Sequence, residues 1–361
     1  MGLLGALLAT NQPLAVSNVI QQQTGITVEV AADSTERELR DVMVADDAAH
    51  DEVNDWMRTN AIPKTDVMAQ AELNRRILAR FDLVRQGYEK FLRNHPDHAH
   101  GYLAFGSFLN DLGDEDGAKA QYENSKQLDP KNPAVWNQLA NYFGEHGGLT
   151  NAFADYTEAI RLNPTEPVYY QNFATTVYLY RTDAKEFYHL TESQVFDKAL
   201  GLYQQAMRLA PDNFVLATDY AESYYGIRPL RTNDALVAWT NALQVARTDA
   251  ERQGVEIHLA RVKIAAGFFA EASNHLAVVT NAAYLDLKKR LVRNLAESEN
   301  PATNSVTESS PKIPAVAVTN AVGSITNPPA PVTAVTSGPP VPPPSSVWQT
   351  TPPVLRGQKP Q

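Results

Sequence analysis

Five pairs of small residues recur along the chain: Gly106 with Ala118, Ala140 with Ala152, Ala174 with Ala199, Ala221 with Ala235, and Ala260 with Ala272. Their separations are 12, 12, 25, 14 and 12 residues. This pattern constrains the fold more than any other feature. Two antiparallel helices joined by a short turn cross closely only where both carry Gly or Ala, because a larger side chain holds the backbones apart. The pairs therefore predict five helical hairpins. The third carries a 13-residue insertion and the fourth a 2-residue one, the excesses over the spacing of 12.

A repeated phrase fixes the period. "NHPDHAHGY", "LDPKNPAVW" and "LNPTEPVYY" begin at residues 94, 128 and 162, so the steps are 34 residues. With Ala99 as position 1, Tyr102, Phe105, Gly106 and Leu109 fall at positions 4, 7, 8 and 11, one stripe of a helix. Ala118, Tyr122 and Ser125 fall at 20, 24 and 27, a second stripe. Gly113 stands at the turn, and Pro130 at position 32 stops the second helix. The next unit repeats the scheme with Trp136, Leu139, Ala140 and Phe143, then Gly147 and Gly148, then Ala152, Tyr156 and Ala159, and ends at Pro164. The later units keep the small pairs, Ala199, Ala235 and Ala272 holding position 20 of the second helices. There the Pro-Asn closure survives only in "LAPDN", at Pro211.

These residues resemble the tetratricopeptide repeat family, whose pattern is W-x2-L-G-x2-Y, then A-x3-F, then P. The resemblance covers roughly residues 99 to 280. It implies an all-α solenoid of antiparallel helix pairs, with the first helix of each pair lining a concave groove, and it implies binding of a protein or extended peptide there. Positions 2, 5, 6, 9 and 12 of the first helices face that groove in the family. Here they include Leu103 and Ser107, then Asn137, Gln138 and Asn141, then Val168 and Asn172, then Val215 and Asp219. None of these is Lys or Arg, which argues against a clamp for a terminal carboxylate. An Asn amide donates and accepts, so Asn137, Asn141 and Asn172 are the candidate holders of a ligand backbone, with Tyr170 or Tyr178 packed nearby. Solvated surface is the alternative for these amides.

The regions outside the repeat read as follows. Residues 1–30 form an apolar or extended segment, in which "GITVEV" has the alternation of a short strand. Gly2–Ala9 is too short to span a bilayer; it matches the hydrophobic part of a secretory signal but lacks the positive charge that precedes one, since Arg37 is the first basic residue. Cytoplasmic and secreted or periplasmic locations both stay open. Residues 31–98 form a helical cap. Within it Thr35 and Glu38 are spaced as a capping box for a short acidic helix, a second short helix carries Val53, Trp56 and Met57, and a long helix runs from Asp66 to Asn94. The solenoid spans 99–297, with its insertion at 182–194. There Asp183 with Glu186, and Thr191 with Gln194, have capping-box spacing, so a short helix is expected over Lys185–Leu190. Phe187 and Tyr188 either pack on the third hairpin or form an interaction edge. "AYLDLKKRLVRNL" reads as a closing helix. Residues 298–361 hold 14 of the 23 prolines between Pro301 and Gln361, the composition of a disordered tail with PxxP spacings and a lone Trp348.

Composition excludes several classes of function. The net charge of -10 disfavours nucleic acid. With no cysteine there is no disulfide framework and no thiol chemistry. No phosphate loop, nucleophile elbow or HExxH occurs, so no catalytic residues and no cofactor are expected. His95, His98 and His100 are a weak metal candidate, because three imidazoles in one loop have no fixed geometry. The expected function is a non-catalytic scaffold. A substrate-presenting or regulatory subunit of an enzyme, and a cell-envelope assembly factor, are the alternatives.

Overall fold

The computed structural model describes residues 34–59 and 66–299. The expectations for residues 1–33, including "GITVEV" and the signal, and for the proline-rich segment after Glu299 with Trp348, lie outside the described residues. Among the described residues the regular structure is helical, and none of the helices is long and apolar enough to cross a membrane.

Helix α1 is Ser34–Thr59, and α2 is Val67–Asn94. The expected pair of short acidic helices is thus one continuous helix. The reason is its buried stripe, Leu39, Met43, Asp46, Ala49 and Val53, whose steps of three and four run unbroken. A break would turn half of that stripe to water. Thr35 lies inside the first turn rather than at a cap, and the Glu38 carboxylate lies 3.0 Å from His95 Nε2 instead of closing a capping box. Helix α2 starts as expected: the Asp66 side chain accepts from Ala69 N at 3.0 Å. It buries Ile77, Phe81, Val84, Tyr88 and Phe91 along one face.

The first three hairpins are α3 (Ala99–Asp111) with α4 (Glu115–Leu128), α5 (Pro133–Glu145) with α6 (Leu149–Leu162), and α7 (Pro167–Leu179) with α9 (Glu192–Leu209). Helix α8, Arg181–Tyr188, is the insertion. The need for small residues at the crossing is explicit at Gly106. A Cβ there would meet the Tyr122 ring at 2.5 Å and the Ala118 carbonyl oxygen at 3.2 Å. In the third hairpin the insertion leaves the pair intact: Ala174 on α7 and Ala199 on α9 are both fully buried. The position-24 ring fills the space the small residue leaves: Tyr122, Tyr156 and Tyr203 are each 2% exposed. Gly113 and Gly147 turn the first two hairpins with φ of 78° and 85°, a region that L side chains rarely adopt. Pro133 and Pro167 open α5 and α7 at their first turn, where a missing N–H costs nothing.

Position 4 departs from expectation. Its place in the apolar stripe predicts Trp136 buried between neighbouring hairpins; the structure leaves it only half-buried. Its Nε1 donates to the Pro130 carbonyl at 2.8 Å, and the Lys126 ammonium sits 3.5 Å from its ring centroid. Tyr170, one repeat later, does the equivalent, donating to the Pro164 carbonyl at 3.1 Å. The position-4 aromatic therefore closes the preceding loop rather than filling the core.

The insertion helix begins at Arg181, earlier than the expected Lys185. Helix α7 ends at Leu179, and Tyr180 caps both it and α8, so Asp183 lies in the first turn rather than at a cap. The capping box of Thr191 and Gln194 forms as expected at the start of α9. Phe187 and Tyr188 stand 5.3 and 5.6 Å from Phe153, so they pack on the second hairpin's α6 rather than only on the third.

By its contacts the chain divides into two compact units, the boundary falling between Leu216 and Ala217 inside α10 (Phe214–Ser223). The second unit holds the end of α10, α11 (Thr232–Val245), α12 (Asp249–Ala265), α13 (Phe269–Ala277) and α14 (Leu285–Glu299), the expected closing helix. Ala221 on α10 and Ala235 on α11 are fully buried, as are Ala260 on α12 and Ala272 on α13. Trp239 and Leu276 stand at position 24 and take the place of the tyrosines.

Candidate protein-binding site

In the first unit, α5 and α7 are the neighbouring first helices of hairpins two and three. Asn137, Asn141 and Glu145 step by four along α5; Asn172, Thr176 and Tyr180 step by four along α7 and its cap. Polar rungs join them. Asn172 Nδ2 donates to Asn137 Oδ1 at 3.2 Å. The buried Tyr156 hydroxyl donates to Asn141 Oδ1 at 2.7 Å and lies 3.1 Å from Thr176 Oγ1. Thr176 Oγ1 in turn donates to the Asn172 carbonyl at 2.9 Å, and Asn141 Nδ2 donates to Gln138 Oε1 at 3.2 Å. Burial pushes the Tyr156 hydroxyl well above the ordinary tyrosine range, so it stays a donor.

The expected amide row is thus brought together, but its members differ in access. Asn137 is only 6% exposed. It sits at position 5, where the first hairpin has buried Leu103 and the fifth has buried Ile257, so it serves the contact between hairpins. Gln138, Asn141 and Asn172 are half-buried and keep donor or acceptor capacity toward solvent. The two tyrosines do not join them. Tyr170 is two residues from Asn172 on one helix, hence on another face, and its hydroxyl is engaged by Pro164. Tyr178 packs 6.0 Å from the Phe196 ring.

The three histidines of the 95–100 loop meet carboxylates of α1. Glu36 Oε1 lies 3.1 Å from His98 Nε2 and 3.4 Å from His100 Nδ1. Glu38 takes His95. His98 Nδ1 accepts from Gly101 N at 3.1 Å, so this imidazole also caps α3, and its other nitrogen is the one left to donate to Glu36. Hydrogen bonds from His100 and then His98 hold the Glu36 carboxyl down to about 2. No group of three metal-capable side chains with suitable geometry occurs among the described residues. The loop acts as the tether of α1.

A register carried through only four first helices misses two residues. Continued into α12, with Gln253 at position 1, it places His258 at position 6 and Arg261 at position 9, the position of Asn141 in the second hairpin. Arg261 is half-buried, with its guanidinium carbon 4.2 Å from the centroid of the Tyr225 ring.

Comparison with known proteins agrees with the repeat. The tetratricopeptide repeat profile matches residues 99–132, the first hairpin and the loop that closes it. The chain is similar to several solved structures. For PilW, described as a widely conserved type IV pilus biogenesis factor, identity is 12% over 68% of this chain and 98% of that one, with a TM-score of 0.46. For YrrB, described as a TPR protein with an unusual peptide-binding site, identity is 13% over 59% and 97%, with a TM-score of 0.43. For MamA the values are 20%, 47%, 91% and 0.38. No curated protein matches the sequence.

Proposed function

We infer that this chain is a non-catalytic scaffold that holds a protein, or an extended segment of one, against the first helices of hairpins two and three. The resemblance to the tetratricopeptide repeat supports the class of function, since that helical-repeat fold generally serves protein interaction. The observation that carries the site is the half-buried amide set Gln138, Asn141 and Asn172, fixed in place by the rungs beneath it. Amides held at fixed spacing pair with peptide N–H and C=O groups whatever the ligand's side chains. Their rigidity lowers the ordering cost of binding. Partner identity then depends on contacts beyond the amides.

A photocrosslinking benzoyl-phenylalanine at position 138 of the full chain, compared with the same group at the likewise half-buried position 158 on α6, tests this reading. Partner adducts are expected from 138 and not from 158. In the double variant Gln138→Ala with Asn172→Ala, each lost hydrogen bond weakens binding by roughly 0.5–1.5 kcal/mol, about 2- to 12-fold. Adducts from 158 alone, or full affinity in the double variant, reject the site.

A further inference from the structure

Two arginines of the second unit meet Tyr225, and neither makes an ion pair among the described residues. Arg261 lies over the ring, and its guanidinium makes no hydrogen bond or ion pair among the described residues. Arg228 Nη1 donates to the Tyr225 carbonyl at 2.6 Å and to the Ile227 carbonyl at 2.9 Å. Arg228 is itself exposed. In a chain with 41 acidic and 31 basic side chains, a half-buried arginine without an ion pair is out of keeping.

The support beneath these guanidinium groups is rigid. The Tyr225 hydroxyl is 3.1 Å from His258 Nδ1, and the His258 ring stacks on Trp239 at 4.1 Å with 12° between planes. Burial, with Arg261 nearby, lowers His258 to about 3, so the imidazole is neutral and adds no charge of its own. Glu222 is the acidic group whose charge also reaches Tyr225; it occupies position 9 of α10, as Arg261 does of α12.

We propose that Arg261, seated over the Tyr225 ring, with Arg228 anchored on the same tyrosine's carbonyl, is a receptor for an Asp or Glu side chain within a bound acidic protein segment. This rests on the protein-binding reading above and places a second contact in the second unit. A guanidinium with one face covered by a ring presents its N–H edge, which matches a planar carboxylate in two parallel bonds.

The probe is a fluorescein-labelled twelve-residue peptide of alternating Glu and Ala, amidated at its C-terminus, titrated against the full chain by anisotropy. Its twins are a Gln-for-Glu peptide and the same Gln peptide with a free C-terminal carboxylate. The Glu peptide is expected to bind more tightly than the amidated Gln twin. Its affinity should fall about tenfold to a hundredfold in Arg261→Gln, the range for a hydrogen bond to a charged group. Arg261→Lys, which keeps the charge but not the fork, should retain only part of the binding. Arg228→Gln, at an exposed position, should also weaken it. Equal binding of the Glu peptide and the amidated Gln twin overturns the proposal, as does unchanged affinity in both Arg261→Gln and Arg228→Gln. Binding of only the free-acid twin would assign the site to chain ends and overturn the side-chain reading. Crosslinking from position 138 is read separately, so the scaffold can stand while this site falls.

Discussion

The second hairpin and the fifth share one register and almost nothing else. The second opens with Pro133 behind an Asn132 cap, turns at Gly147, closes on Pro164, and uses Tyr156 at position 24 to bond two neighbouring first helices. The fifth opens with a capping box of Thr248 and Glu251 ahead of its first register position, turns at Gly267, and has a second helix of only nine residues, Phe269–Ala277. Its position 24 is Leu276, which has nothing to donate. Yet Ala140 and Ala152 in the one, and Ala260 and Ala272 in the other, are equally buried. The crossing point is thus the invariant of the fold. The Pro-Asn phrases belong to the loops, which is why they fade toward the end of the chain while the hairpins persist.

The two tryptophans give the largest expected contrast. Trp239 fills position 24 of the fourth hairpin and is 1% exposed, so Trp239→Ala should cost about 3–5 kcal/mol. Trp136, although it belongs to the stronger repeat, packs half in water on Lys126, and Trp136→Ala should cost only about 1–2 kcal/mol. Chemical denaturation of the two variants measures the difference. A larger loss at Trp136 would reverse the assignment of core and loop roles.

Acid should separate the two units next. In the second unit, half-buried His258 is held neutral, with its value lowered to about 3. The unfolded chain takes up that proton near 6.5, so stability falls as pH drops from 6.5 toward 3, by up to about 1.4 kcal/mol per pH unit. In the first unit His50 is likewise lowered by burial, to about 4. There, however, Asp46 and Asp111 are raised by burial to about 7 and Asp47 to about 6. A carboxyl raised in the folded state destabilises it as pH rises from 3.8 to the folded value, and relieves that cost on acidification. The carboxyls therefore offset His50. Between pH 6.5 and 5 hydrogen exchange should show openings of the second unit becoming easier while those of α1 to α4 do not. Asp46→Asn should remove one offsetting proton and make the first unit more acid-sensitive. Parallel behaviour of both units would remove this distinction.

The smallest contrast lies in the first hairpin itself. Gly106→Ala forces a methyl against the Tyr122 ring and the Ala118 carbonyl, costing about 1–3 kcal/mol. Gly113→Ala meets nothing within 4 Å but must adopt a φ of 78°, at about 1 kcal/mol. Thermal melts of the two variants rank crowding against backbone strain, and a costlier Gly113→Ala would mean the turn, not the crossing, limits the hairpin.

The polar rungs were only half legible. Asn137, Asn141 and Asn172 stand out at groove positions, and their residue type was sufficient to mark them. That Asn172 bonds Asn137, and that Tyr156 lies between Asn141 and Thr176, depends on how hairpins two and three abut, and no spacing within one hairpin contains that. The same limit hid the partners of the loop histidines. Glu36 is 62 residues before His98, and only the return of α1 across α2 brings them to 3.1 Å.

The sequence by itself determined which small residues are fully buried, down to Ala199, Ala235 and Ala272, the turn glycines and the α2 stripe, because each follows from steric fit or periodicity within a few dozen residues. Tertiary structure decided the continuity of α1, the half-exposure of Trp136, the seat of Phe187 and Tyr188 on α6, and the placing of Arg261 over Tyr225 without an ion pair. Each of these is a choice among locally acceptable arrangements. Such choices are made by what an adjacent element offers, whether a carbonyl to close, a ring to stack on, or apolar surface to cover, and a periodic pattern carries no record of its neighbour.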